Sequence, residues 1–600
     1  MTCKRNYNLV KNSACLQLQI ELEANGLEIA GLVSKNASYQ QILEELIRYR
    51  NAWLDLDILP PVSRPMKEDN MKCWQSYEGH WLLGFSDSDT EDNSKPDSLQ
   101  TINLDSSTLP PAVNFQTEYD QFTVDPSQQL AVLLSENQEE LRILHIHLRS
   151  SVTGQPHPLA RRPTLTATLP EGFEAHLSRG LKRLRFGPQI VGSTLVVNVG
   201  SPQEWTFCVL VWDWMAGVLL GHIPCRDAFC DIGFLDNRHL IAYTAYHHEP
   251  DSDNESDSDD ESHSPSESGE RERVLHIQLS LYTIPYVKSY HNADPTGQYD
   301  VFCSDTLCPR VFFNFPSLRD GFDIVPHRSL LWLNSPPGCI THTSRSAQFA
   351  RPKVPTLALT LTLTKRGYFG TSFHTEGAHI ADIYYRIFVD TRCLLKHVPV
   401  GERQKTVRWN EWGEQATRWF QEDPEFIDYR MCWVGWASGS RFVKGNTVDD
   451  AQALSLFDFD PLTVERHVQR SHPDYIPLIR TPSEAAKDTK AVRRGKGLFV
   501  PRLSYGTNFD GAPSLQPSNE VFVDFVRRDQ PTIVYEGFQE SIRSRLPYRV
   551  VTKLSPVLPS GGWFIDGGRI FAIHQWSDAP WEFHVFKLNI GDDVTDLSGD

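Results

Sequence analysis

From Cys73 to its end, the chain is a long succession of short apolar runs, and that succession restricts the fold more than any other feature. The runs fall at 81–85, 130–134, 141–148, 195–199, 209–214, 240–243 and 279–284, then at 356–363, 384–389, 521–526, 570–573 and 583–588. Asp-Pro, Pro-Pro and Gly-Gly pairs separate them, and few stretches carry a helical stripe. The 31 Phe, 19 Tyr and 15 Trp suit pleated surfaces, and the 39 Pro and 36 Gly supply frequent breaks. Many short strands with turn signals indicate a sandwich, a barrel or a propeller.

One segment favours the propeller. Cys208-Val209-Leu210-Val211-Trp212-Asp213-Trp214 is followed by Met215-Ala216-Gly217 and then Val218-Leu219-Leu220. Another run at 230–235, the turn Asp236-Asn237-Arg238-His239 and the run 240–243 come next. A strand closed by Trp-Asp, a Gly turn and a returning strand resemble the cadence of WD-repeat blades. Each such blade needs neighbours to cover both of its faces. Weaker echoes lie at 122–131 with 141–148, and at 567–573 with 583–588. The expectation is therefore a mainly β chain: a WD-repeat-like β-propeller over 70–600, with about seven blades within the usual range of roughly 4–8. A pair of sandwiches is the alternative, since no exact repeat period survives.

Residues 1–60 read differently. Leu16, Leu18, Ile20 and Leu22 form a short alternating apolar run ending near Gly26. A helical segment follows, with Ser38 as N-cap and Gln41 completing a capping box. Tyr39, Ile42, Leu43, Leu46, Ile47 and Trp53 recur at helical spacing, so their stripe needs a surface to cover it. Docking onto the main domain is one way to cover it and an exposed partner site is the other. Two stretches look inserted. Residues 249–273 are acidic, Ser-rich and almost free of apolar side chains, a composition that cannot offset its ordering entropy and reads as a disordered loop. Its serines beside acidic residues resemble acidophilic kinase sites. Residues 86–98 are similarly polar.

The net charge of −18 opposes nucleic acid and anionic lipid as partners. The longest basic cluster, Arg493, Arg494 and Lys496, reads as a solvated loop. No N-terminal signal pattern or long apolar stretch is present, and the 11 Cys lack paired spacing, which points to the cytoplasm or nucleus.

Chemistry is hard to find. His222, Cys225 and Cys230 lack the paired spacing and fourth ligand of tetrahedral zinc, and Cys303 and Cys308 stand alone. His374, Glu376 and His379 have an offset of five with Gly377 between, which reads as a polar turn. His247-His248 offers at most a loose surface site. Gly495-Lys496-Gly497 lacks the spacing of a phosphate cradle, and nucleophile-elbow and dinucleotide motifs are missing. No catalytic, cofactor-binding or metal-binding residue is assigned and no cofactor is expected. The chain reads as a non-enzymatic binder of proteins.

Several segments resemble one family. Leu16-Gln17-Leu18-Gln19-Ile20-Glu21-Leu22-Glu23-Ala24-Asn25-Gly26, then Leu43-Glu44-Glu45-Leu46-Ile47-Arg48-Tyr49-Arg50-Asn51-Ala52-Trp53-Leu54-Asp55-Leu56, are similar to the region after the F-box in fungal, mushroom-type F-box-like proteins. Val209 to Trp214 with Gly217 resembles their Trp-Asp strand. Trp409-Asn410-Glu411-Trp412-Gly413 with Thr417-Arg418-Trp419 resembles a further motif of theirs. The resemblance implies the substrate-recognition part of an F-box type ubiquitin ligase adaptor, with a Skp-type adaptor and a cullin as partners. The F-box itself should precede Leu16, and Met1 to Cys15 contains no such pattern. Without it, docking to the adaptor would fail and a propeller scaffold unrelated to ubiquitin would remain.

Overall fold

The computed structural model describes residues 4–65, 71–77, 79–86, 95–106, 109–136, 143–170, 185–201, 206–225, 228–248, 274–285, 298–300, 305–325, 329–332, 336–365, 382–401, 403–422, 437–448, 451–471, 521–555, 562–574 and 582–591. They are mainly β, arranged as many small antiparallel sheets with few helices. The strand Thr206–Asp213 shows why its sequence is one unbroken apolar run. Cys208, Leu210 and Trp212 enter one core with Val132 and Ile146, whereas Val209 and Val211 enter another with Ile232 and Leu240. A strand covered on both faces needs apolar residues at every position. Asp213 then accepts the Ala216 N–H at 2.9 Å, Gly217 takes φ 67°, and Val218–Cys225 returns antiparallel.

Seven of the sheets have four or five strands. Sheet 1 holds Met71–Tyr77, His80–Phe85, Ser98–Asn103 and Val113–Asn114. Sheet 2 holds Gln121–Asp125, Leu130–Glu136, Ile143–Ser150 and Thr164–Thr168, and sheet 3 runs from Arg185–Val191 through Thr194–Ser201 and Thr206–Asp213 to Val218–Cys225. Sheet 4 contains Ala228–Phe234, His239–His248, Val274–Thr283 and Val311–Asn314, and sheet 5 contains Phe322–Ile324, Thr356–Lys365, Ile383–Asp390 and Thr417–Glu422. Sheet 6 orders Ala437–Ser438, Arg441–Val448, Ala451–Asp458 and Tyr548–Ser555. Sheet 7 orders Gly562–Asp566, Arg569–His574 and Glu582–Lys587, and its last strand is Val62–Pro65 from the other end of the chain.

Successive sheets share apolar cores. Leu82 and Leu99 of sheet 1 meet Phe122 and Leu133 of sheet 2. The cores containing Thr206–Asp213 join sheet 2 to 3 and 3 to 4. Tyr243 and Leu279 meet Leu359 and Ile387, Phe388 and Phe420 meet Phe442 and Phe457, and Val443 and Leu456 meet Trp563 and Ile570. The succession returns to its start where Phe564 and Phe571 of sheet 7 pack on Trp81 and Ile102 of sheet 1.

Connections between third and fourth strands are long in sheets 4, 5 and 6, and they reach across to other sheets. From sheet 4, Gln298–Asp300 runs parallel to Thr164–Thr168 of sheet 2, and Thr306 bridges to His222 on the edge of sheet 3. From sheet 5, Lys405–Val407 lies parallel to Val311–Asn314 of sheet 4, between the short helices Thr391–Leu395 and Trp409–Ala416. From sheet 6 come the helix Pro461–Ser471, the strand Val521–Val526 on its own outer edge, and a hairpin whose Phe538 meets Trp419 of sheet 5 at 5.5 Å. The hairpin of His239–His248 with Val274–Thr283 stays in register out to His248↔Val274. The expected acidic loop 249–273 that joins these strands lies outside the described residues, as does 87–94 of the other insertion.

The N-terminal segment folds as α1 (Lys4–Lys11), α2 (Ala14–Asn25), a strand Glu28–Leu32 and α3 (Tyr39–Asp55). The alternating run at 16–22 is not extended: it lies within α2, capped by Ser13 and ended by Gly26 at φ 61°. Its intervening Gln and Glu residues are good helix formers. On a helix the period of two splits the apolar residues, so Leu18 and Leu22 are buried while Leu16 and Ile20 stay 45% exposed. Ser38 and Gln41 form both arms of the capping box of α3, whose buried face includes Ile42, Leu43, Leu46, Tyr49 and Trp53. Tyr39 is exposed instead, because it occupies the first turn above that face. The stripe packs on sheets 6 and 7. Glu28–Leu32 pairs with Ala347–Ala350, part of a small sheet inserted in sheet 5. No described helix is long and apolar enough to cross a membrane.

Candidate functional site

The residues singled out in the sequence do not converge. His222 is buried, its backbone bonded to Asp305 and Leu307, and burial lowers its imidazole pKa. Cys230 is buried on the strand Ala228–Phe234, Cys225 lies on Val218–Cys225, and Cys308 is exposed. His247 and His248 end a sheet 4 strand. Cys303, His374, Glu376, His379, Arg493, Arg494 and Lys496 lie outside the described residues. Among the described residues, no three His, Cys, Asp or Glu side chains gather as a metal site.

What the chain does build is a polar seam where α2, α3 and the helix Pro461–Ser471 meet sheet 6. The Glu21 carboxylate of α2 takes Arg50 of α3 at 2.7 Å and Arg466 of the later helix at 2.9 Å, so one anion ties three helices. Between α2 and Pro461–Ser471 lies an open cleft of about 450 Å³ lined by Gln19, Ile20, Glu23, Ala24, Leu462 and Glu465. Ile20 and Leu462 put apolar surface there, and Glu23 and Glu465 add negative charge beside Arg466, which also lines the cleft.

Beneath α3 the seam is ionic and buried. Neighbouring strands of sheet 6 place Arg441, Asp458 and Arg549 side by side through the pairs Arg441↔Asp458 and Asp458↔Arg549. The Arg441 guanidinium lies 4.5 Å from the centre of the Trp53 ring, and Arg549 Nη2 donates to the carbonyl of Leu54 at the end of α3. Arg351, after the inserted strand Ala347–Ala350, donates to Ser438 Oγ at 3.4 Å. Burial lowers Arg549 to about 10, which leaves it charged at neutral pH. Asp460 caps the helix Pro461–Ser471 by accepting the Leu462 N–H at 3.0 Å. Burial and then Asp458 push its carboxyl up to about 6 against the pull of Arg392.

On the other side of α3, Tyr49 stacks on His342 with ring centres 4.4 Å apart, and His342 stacks on Phe349. Burial, with Arg569 adding to it, holds the His342 imidazole down at about 4. The sequence singled out Trp53 and Tyr49 only as part of the helix and its motif, and the buried Arg441, Asp458, Asp460, Arg549, Arg351 and His342 not at all. An Arg or Asp in a strand reads as solvated until its neighbours are known.

No protein-family model matches the chain, and no curated protein sequence matches it. Among solved structures, the chain is similar to the hydrazine synthase of Kuenenia stuttgartiensis at 10% identity, covering 53% of this chain and 64% of that one with a TM-score of 0.24. An uncharacterised protein of Listeria monocytogenes aligns at 11% identity over 67% of this chain and 95% of its own, TM-score 0.24. An α-L-arabinofuranosidase of Fusarium graminearum aligns at 8% identity over 56% and 93%, TM-score 0.22. Scores this low establish neither a shared fold nor an activity.

Proposed function

We propose that the seven sheets are the blades of a β-propeller and that the chain binds protein partners rather than transforming a small substrate. The observation that carries the first half is the pairing of Val62–Pro65 with Glu582–Lys587, together with cores that run from sheet to sheet and back to sheet 1. A strand from one end of the chain that completes the last blade joins the two ends of a circle, in which neighbouring blades cover one another's faces and only short edges remain. The partner reading rests on the N-terminal helices. They are held to the blades by α3 and leave Leu16 and Ile20 facing out, near the exposed Leu462 of the helix Pro461–Ser471.

The resemblance to F-box-like proteins narrows the proposal to the substrate-recognition part of a ubiquitin ligase adaptor, with a Skp-type adaptor and a cullin as neighbours in the complex. The experiment is affinity capture of the full tagged chain from its own cells, followed by mass spectrometry. The purified chain is then mixed with the purified Skp-type adaptor. Recovery of adaptor and cullin, with a complex reformed from pure components, supports the ligase reading. Stable capture of other proteins with neither of these leaves a propeller scaffold and retires it.

A further inference from the structure

Helix α1 is hard to account for within one chain. At 8 residues it is shorter than the roughly 12–15 that an isolated helix needs, so it depends on packing. Yet Tyr7 is 60% exposed and Leu9 57%. Its tie to the chain is at the start of α2, where Gln17 Nε2 donates to the carbonyls of Val10 at 3.1 Å and Lys11 at 2.7 Å. The helix carries Lys4, Arg5 and Lys11 and no acidic residue. Lys4 stands three places before Tyr7 and Lys11 four after it, so the three share one helix face, an aromatic ring between two ammonium groups.

The cleft between α2 and Pro461–Ser471 has the opposite pattern. Ile20, Ala24 and Leu462 give it apolar walls, and the exposed Glu23 and Glu465 stand one on each of its helices. Arg466 also lines it, but its guanidinium is held by Glu21 at 2.9 Å. Among the described residues, Lys4, Lys11, Glu23 and Glu465 have no ion-pair partner. A volume of about 450 Å³ suits large side chains rather than a whole helix. Tyr7 does not fill the cleft of its own chain, since its ring faces solvent.

We propose that the cleft receives Tyr7 from α1 of a second copy of this chain, and that the exchange is reciprocal about a two-fold axis. Lys4 and Lys11 of each copy then lie beside Glu23 and Glu465 of the other. Tyrosine suits the site because its ring is apolar and its hydroxyl finds acceptors in Gln19 and the carboxylates. A second copy is the fitting occupant because one sequence carries both ridge and groove, each complementary in charge to the other. Exposed ion pairs of this kind contribute little alone, so the buried ring supplies affinity and the charges set the register. The pairing needs only the chain itself and stands apart from the adaptor reading.

The test is sedimentation velocity on the purified full chain from about 0.1 to 100 µM. The expected result is a shift from monomer to dimer as concentration rises. Tyr7→Ala should weaken the dimer at least about tenfold, and the exposure of Tyr7 keeps that change from disturbing the fold. Two charge-reversed chains check the register. Lys4→Glu with Lys11→Glu in one, and Glu23→Lys with Glu465→Lys in the other, should each lose the dimer alone. Mixed together they should form one, because both contacts are then restored. A wild-type chain that is monomeric at about 100 µM overturns the proposal and leaves the cleft to another protein. So does a dimer unaffected by Tyr7→Ala, or reversed chains that dimerise alone or fail to combine.

Discussion

Trp53 is the side chain through which the N-terminal helices are most exposed to a single change. It is 2% accessible, sits in the core shared by sheets 6 and 7, and covers the Arg441 guanidinium. Trp53→Ala removes about 3–5 kcal/mol of packing. Loss of a desolvated cation–π contact adds about 0.5–2 kcal/mol. A total of about 3.5–7 kcal/mol falls on the docking of α3 rather than on the sheets, because the partners of Trp53 lie at that one junction. Hydrogen exchange reads this directly. Since about 1.4 kcal/mol is a factor of ten, amides of 39–55 that exchange by undocking should do so at least about three hundredfold faster. Amides of sheets 2 and 3, which touch none of this core, should keep their rates, and Trp53→Phe should recover part of the loss. Protection falling evenly across all sheets, or a change below tenfold in α3, would refute the assignment of Trp53 as the local anchor.

Two further outcomes are expected. Replacing 249–273 by an Asn-Gly turn should leave the melting transition nearly unchanged, because the flanking strands already pair out to His248↔Val274. Shortening the connection by between three and four halvings relieves roughly 2 kcal/mol, which moves Tm by less than about 2 °C in a chain of this length. A loss of several degrees would mean the acidic segment packs. The His342 imidazole, held at about 4 against 6.5 when free, binds its proton more readily in the undocked state. Docking of α3 should therefore weaken as pH falls through 6.5 toward 4, by about 2 kcal/mol at pH 5. Exchange of α3 amides, corrected for intrinsic rates, should show that slope in the wild type and lose it in His342→Phe. An unchanged slope in the variant would place the titration elsewhere.

Strands and short turns were legible wherever one rule decided them. The run at 208–212 announced a strand covered on both faces, Ser38 with Gln41 announced the start of α3, and Gly217 announced the turn after Asp213. The period of two at 16–22 gave no sign of the helix there, because the helix propensity of the intervening Gln and Glu decides the conformation and two of the four apolar residues stay 45% exposed. Pairing across the whole chain was out of reach. Nothing in Val62–Pro65 names Glu582–Lys587, and nothing in Glu28–Leu32 names Ala347–Ala350, since strand pairing depends on what lies opposite rather than on either sequence alone. The candidate site was hidden for a related reason. Arg441, Asp458 and Arg549 are ordinary strand residues until sheet 6 sets them side by side beneath Trp53.

The strand that links the two ends of the chain also sets a timetable. Sheet 1 is made early, yet Trp81 and Ile102 find their cover on Phe564 and Phe571, and Val62–Pro65 waits for Glu582–Lys587. At about 5–20 residues per second, synthesis of the intervening chain takes roughly 25–100 s. Through that interval the first sheet has one oily flank facing the crowded cell, and the ribosome cannot hide it. A chain built this way is born needing a guardian for its first minute, and its yield in a foreign host should follow the supply of nascent-chain chaperones more closely than the final stability of the fold.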